Sequence, residues 1–159
     1  MKIRSIKSSD NKSIEKIIKD NLKSFNLDIP GTAYFDPEIS TLSDFYKLTN
    51  KRDYFVFVDD LDNVLGGVGI AEYDEKNNIC ELQKLSLSNE SKRNGASYKL
   101  LDAAINFAKE AGYKKVYLET YHTLEAAVHL YRKYGFKELE KPLISCNHDT
   151  MDMFFIKDI

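Results

Sequence analysis

Between Cys80 and Ala111 an alternating segment, Leu82 to Leu87, runs through a polar stretch into Lys92-Arg93-Asn94-Gly95-Ala96-Ser97, and a helical pattern starts directly behind that glycine. Strand, tight loop and helix start, in that order, build an anion site. The first turn of a helix leaves several main-chain N–H groups without partners, and the aligned peptide dipoles put about half a positive charge there, so a phosphate oxygen satisfies both. Lys92 and Arg93 add whole charges, and Gly95 lets a bulky ligand approach the backbone where a Cβ would collide. The stretch lacks the G-x-x-x-x-G-K-[ST] run of a nucleotide hydrolase, and it has one glycine where the dinucleotide fingerprint G-x-G-x-x-G has three. A nucleoside triphosphate is therefore disfavoured.

Other chemistry-bearing side chains are sparse. His122, His129 and His148 show no metal spacing such as H-E-x-x-H. His148 sits in a loop between the last two strands, where an imidazole with an ordinary pKa near 6.5 can take a proton or simply be solvated. Cys80 and Cys146 are too few and too far apart for a disulfide framework and read as free thiols in a reducing compartment. Tyr131 shares a helical stripe with Leu124, Ala127 and Val128, which by itself reads as core.

The elements that must position these residues follow from pattern. A chain of 159 residues with 43% hydrophobic content can bury a proper core as one domain over 1–159. A net charge of −2 leaves no broad cationic face, which argues against nucleic acid as the main partner. No apolar leader opens the chain and no run reaches the roughly 18 apolar residues of a membrane span, so a cytoplasmic location is expected. Met1 to Ile6 is a short strand, and Ser8-Ser9-Asp10 offers an N-cap to a helix with Ile14, Ile17, Ile18 and Asn21/Leu22 on its stripe. A long loop punctuated by Pro30-Gly31 and Pro37 follows, then a short helix from Thr41 to Leu48. Tyr54 to Val58 and Val64 to Tyr73 form a hairpin whose second arm carries Gly66, Gly67 and Gly69, the mark of a bulge or a close backbone approach. Ile79 to Leu87 is the fourth strand. Leu101, Ala104, Ile105 and Ala108 stripe the next helix, which Gly112 ends, and Lys115 to Thr120 is a near-continuous apolar strand expected to lie parallel to the fourth. A further helix through Tyr131 stops at Gly135, Phe136 opens another strand, and Met151 to Ile156 closes the chain.

Two segments carry a family likeness. Lys92-x-x-Gly95-x-Ser97 resembles the pyrophosphate loop [QR]-x-x-G-x-[GA] of the GNAT superfamily of N-acetyltransferases, with lysine and serine departing from the pattern at its two ends. Ala127-x-x-Leu130-Tyr131-x-x-Tyr134-Gly135-Phe136 resembles that family's second signature, A-x-x-[LF]-Y-x-x-x-G-F, and Leu124 stands where an asparagine is common. Both occur in the family's order, within a β–α–α–β–β–β–α–β–α–β–β pattern that spans nearly the whole chain.

The resemblance implies an α+β (α/β) fold with a mixed, mostly antiparallel sheet of about seven strands, splayed between the fourth and fifth and flanked by about four helices. It also implies acetyl-CoA as acyl donor and a primary amine of a small molecule or peptide as acceptor. Lys92, Arg93, Asn94, Gly95, Ala96 and Ser97 would hold the diphosphate. Leu85, Ser86 and Leu87 would pair with the pantetheine through their main chain, the Leu87 N–H polarising the thioester, and Leu124 would flank the cofactor arm. Tyr131 becomes the general acid for the departing thiolate. Glu81 is the candidate base, where some members carry a catalytic glutamate, with His148 as runner-up base or substrate contact. Leu27 to Glu38 and Leu143 to Thr150 would wall the acceptor site, where Tyr34, Asp36 and Glu38 would attract a cation. Two other readings stay open: a coenzyme A-binding module without turnover, and an interaction protein, such as a dimer formed through the C-terminal strands.

Overall fold

A computed structural model of the chain describes residues 1–144 and 149–159. His148 and Cys146 lie outside the described residues. Among the described residues seven strands form one sheet: β1 (Lys2–Ser5), β2 (Asp53–Val58), β3 (Val64–Asp74), β4 (Ile79–Leu87), β5 (Lys115–Thr120), β6 (Lys137–Leu139) and β7 (Met153–Asp158). Their spatial order is β1-β2-β3-β4-β5-β7-β6, antiparallel except for the β4–β5 pair. The α-helices among the described residues are α1 (Asn11–Ser24), α2 (Leu42–Tyr46), α3 (Ala96–Glu110) and α4 (Glu125–Tyr134). Among the described residues no helix is long and apolar enough to cross a membrane.

Alternation along β2 sorts the helices. Phe57 belongs to the cluster that takes in Leu100, Leu101 and Ala104 of α3 and Val128 and Tyr131 of α4, whereas Tyr54, Val56 and Val58 belong to the one with Ile14 and Ile18 of α1 and Leu42 and Tyr46 of α2. Successive side chains on a strand point to opposite faces, so α1 and α2 cover one side of the sheet and α3 and α4 the other.

Several boundaries differ from the pattern reading. The second helix shrinks to Leu42–Tyr46, because Lys47 already closes it with bonds to the carbonyls of Asp44 and Phe45. Phe136 does not open a strand: its N–H still donates to the Tyr131 carbonyl as part of the α4 cap, and β6 begins at Lys137. The last strand starts at Met153, two residues later than the apolar pattern suggests, after the Asp152 N–H has turned to the Thr120 carbonyl.

The β3 glycines make room for tyrosines. A Cβ on Gly69 would lie 2.5 Å from the Tyr46 hydroxyl, and one on Gly67 would lie 2.4 Å from the Tyr54 ring and 2.8 Å from the Phe55 carbonyl. Both rings cross β3 to reach β4, where the Tyr46 hydroxyl donates to Gln83 Oε1 at 2.7 Å and the Tyr54 hydroxyl to the Lys84 carbonyl at 2.9 Å. Gly67→Ala should therefore destabilise the fold by about 2 kcal/mol, lowering the melting temperature by roughly 5 °C. An unchanged thermal midpoint would contradict this account.

Candidate active site

β4 is bent at its middle. Gly67 pairs with Ser86 and Gly69 with Gln83, so Lys84 and Leu85 together oppose the single residue Val68. Lys84 takes a φ of 53°, which places an extra residue in the left-handed region and bends the strand, at a local cost of about 1 kcal/mol or more for a side chain other than glycine. Beyond the bend β4 and β5 separate. Their parallel pairing covers only Ile79, Cys80 and Glu81 against Lys115, Val116 and Tyr117, although β4 runs on to Leu87 and β5 to Thr120. Ser88 N–H donates to the Leu65 carbonyl at 2.8 Å, so alternation turns the main-chain groups of Leu87 away from β3, toward the opening.

A cavity of about 470 Å³ occupies that opening, bounded by α1, by residues 84–87 of β4, by the start of α3 and by α4. Of the expected phosphate and pantetheine residues, Lys92, Ser97, Leu85, Ser86, Leu87 and Leu124 line it. Ala96 is buried beneath the first turn of α3, and Arg93, Asn94 and Gly95 are exposed on the loop outside the cavity wall. Gly95 is the N-cap of α3 with a φ of 68°, and a Cβ there would meet nothing within 4 Å. Within the protein, backbone conformation explains that glycine, with no crowding to relieve.

Two supports of this cavity were not legible as site residues. The Asn21 side-chain amide donates to Ser86 Oγ at 2.7 Å and to the Leu87 carbonyl at 2.8 Å, and Lys92 Nζ donates to Asn89 Oδ1 at 2.9 Å and Asn21 Oδ1 at 3.4 Å. Asn21 interrupts the apolar stripe of α1, which was the available signal. Ser91, almost fully buried, donates to the carbonyls of Leu65 and Ser88, both at 3.0 Å, and so ties the loop ahead of α3 to the sheet. Asn21→Ala should lose about 1–2 kcal/mol of stability by leaving the Leu87 carbonyl without its donor. Denaturant titration with an unchanged midpoint would refute that.

A smaller cavity of about 130 Å³ adjoins the first and shares Leu22, Ala33, Lys84, Leu85, Leu124 and Ala127 with it. Glu81, Gln83, Glu119 and Tyr131 are in its wall. Gln83 Nε2 donates to Glu81 Oε1 at 2.7 Å while Tyr46 holds the Gln83 carbonyl oxygen, so a buried chain of donors orients the carboxylate from behind. Glu119 accepts from the Tyr117 hydroxyl at 2.7 Å, and Tyr73 stacks on the Tyr117 ring with centroids 4.5 Å apart. Glu119 was not singled out from the sequence, yet alternation on β5 sets Tyr117 and Glu119 opposite the core residues Val116 and Leu118.

Tyr131 combines both readings of its stripe. Its ring packs against Phe136 and Phe155 at centroid distances of 5.8 and 6.1 Å, and it also borders the smaller cavity. Among the described residues its hydroxyl makes no hydrogen bond, and burial alone pushes its pKa above the ordinary tyrosine value.

Tyr34 and Glu38 do not border either of these cavities. The turn Ala33–Phe35 directs Ala33 inward and leaves Tyr34 against α1, with Lys19 Nζ 5.3 Å from its ring centre. Asp36 and Glu38 do face a cation, and it is the chain's own: Lys84 Nζ lies 2.8 Å from Asp36 Oδ2 and 3.4 Å from Glu38 Oε1. Cys80 is buried and its thiol is pushed up to about 12 by that burial, so it is held in the neutral form. Among the described residues no group of three His, Cys, Asp or Glu side chains could hold a metal ion.

A splayed β4–β5 pair with a glycine-led helix start at its mouth is the arrangement of an acyl-transferase fold of the GNAT type. Residues 16–136 match the family model described as "Acetyltransferase (GNAT) family", and the chain belongs to that family. It is 29% identical over 160 residues to the uncharacterized N-acetyltransferase YjgM of Escherichia coli (strain K12), covering 99% of this chain and 94% of that protein. It is 30% identical over 115 residues to human N-acetyltransferase 8B, covering 69% of this chain and 51% of that protein. Among solved structures, an acetyltransferase of the GNAT family from Staphylococcus aureus Mu50 superposes with a TM-score of 0.85 at 21% identity, covering 99% of this chain and 98% of that one. A phosphinothricin acetyltransferase from Sinorhizobium meliloti, solved in complex with AcCoA, superposes with a TM-score of 0.77 at 17% identity, covering 99% and 88%. At those identities the structures speak for the fold.

Proposed function

We propose that this protein moves an acetyl group from acetyl-CoA to a primary amine of a small molecule or peptide by direct attack on the thioester. The observation that carries the reading is the pair of adjoining cavities, the larger running along the opened edge of β4 and the smaller lined by both Tyr131 and Glu81. The donor fits the larger cavity: Lys92 and the unpaired N–H groups at the start of α3 suit a diphosphate, and the exposed edge of β4 suits an extended pantetheine. In the smaller cavity the acceptor ammonium loses a proton to Glu81, directly or through a water. Its nitrogen lone pair then forms the C–N bond at the thioester carbon while the Leu87 N–H stabilises the oxygen that gains charge. The C–S bond breaks, the departing thiolate takes the Tyr131 proton, and the second proton, shed by the nitrogen as the amide forms, passes through water to restore the phenol. Glu119 adds a second carboxylate beside Glu81, which favours a cationic acceptor.

The test is thiol release from acetyl-CoA across a panel of primary amines, spermidine, lysine methyl ester and an N-terminal alanyl peptide among them, alongside thermal melting with the donor alone. Release with at least one amine is expected. A raised melting temperature without thiol release from any amine would leave a binding module, and no shift at saturating donor would remove the coenzyme reading.

A further inference from the structure

The geometry points to Lys84 as a positioning residue that tethers the acceptor-side loop to the bend of β4, an inference that rests on the acetyl-transfer reading above. Lys84 stands at the first position of the bulge with a φ of 53°, where glycine is the unstrained occupant. A lysine at such a place needs a task for its side chain. That side chain is only 3% exposed, with its ammonium between Asp36 and Glu38. From behind, the Tyr54 hydroxyl donates to its carbonyl at 2.9 Å.

Three parts of the fold thus meet at one residue. β2 fixes the main chain of Lys84 through Tyr54, the loop ahead of α2 grips its ammonium, and Lys84 itself borders both cavities. Asp36 closes the turn Ala33–Phe35, its N–H donating to the Ala33 carbonyl at 3.1 Å, and Ala33 is in the wall of both cavities. The ion pair therefore sets how far the Ala33 wall stands from the bend of β4. Glycine at 84 would keep the bend and release the wall. The carboxylates of Asp36 and Glu38 act on the acceptor through this tether, by shaping its cavity.

Lys84→Gly separates these roles because it preserves the left-handed conformation and removes the side chain that carries the ammonium. Amide hydrogen exchange should quicken at least about tenfold at Asp36, Ile39 and Thr41, whose N–H groups close the turns of this loop, and stay unchanged in α3. With the fastest amine of the panel, the acceptor KM should rise about tenfold while the acetyl-CoA KM stays within about twofold. Lys84→Arg should recover part of both. Unchanged exchange in the loop would overturn the proposal, as would faster exchange throughout the sheet with a matching fall in melting temperature, which would mark Lys84 as a general support of the fold. Should the wild-type protein turn over none of the amines, the transfer reading fails on its own, and the exchange measurement still decides whether the tether exists.

Discussion

Tyr131→Phe is expected to slow the proposed acetyl transfer about a hundredfold and to leave acetyl-CoA affinity within about twofold. The ring fills the same space between Phe136 and Phe155, and among the described residues the lost hydroxyl leaves no partner behind, so the fold should not weaken. In the proposed mechanism, what disappears is the proton for the leaving thiolate. The sign of the pH dependence follows from burial, which disfavours the phenolate and raises the Tyr131 pKa above its ordinary value of 10. The acid form therefore persists through the whole neutral and mildly alkaline range, and kcat should show no loss from Tyr131 ionisation below about pH 10. A rising limb on the acidic side would report loss of the acceptor's own proton. Equal turnover by the phenylalanine variant would remove Tyr131 from the chemistry.

Ala127→Phe should abolish donor binding, with acetyl-CoA affinity falling at least about a hundredfold, which corresponds to roughly 2.7 kcal/mol. Ala127 borders both cavities at their junction, on the face of α4 opposite the opened edge of β4, and it is only partly buried. A phenyl ring there projects into the cavity proposed for the pantetheine. Ala127 packs against the core on one side and faces the cavity on the other, so a larger side chain can grow into the cavity and the melting temperature without ligand should hold within a few degrees. Calorimetric titration with acetyl-CoA separates the outcomes. Retained affinity would show that the donor does not run between β4 and α4. Loss of affinity together with collapse of the fold would show that Ala127 is core.

How far each part of this site could be read beforehand depended on the range of the interactions involved. Strands and helices with strong periodicity were legible because a residue's neighbours two, three or four places along fix its face. The stripe of α3 and the alternation of β4 needed no knowledge of the rest of the chain. The helix start behind Gly95 and the stop at Gly135 were likewise written locally, whereas the β3 glycines signalled a bulge or a close approach without naming the tyrosines that crowd them. Asn21, Gln83, Ser91 and Glu119 were not, since each gains its place from a partner far off or from a strand it meets only after folding. Asn21 and Ser86 are 65 residues apart.

Asp36 and Glu38 show the same division most clearly. Their charge was plain, and so was the expectation that they attract a cation, but which cation could not follow from a loop alone. The chain's residues determined the elements, their order and the two motif segments, because those rest on spacing along the backbone. Only the assembled sheet decided that β4 bends at Lys84 and opens toward α4, and that the acids of the early loop close on that lysine rather than on a visitor. Bulge register and ion pairing are set by atoms that meet across the fold, at distances sequence separation does not encode.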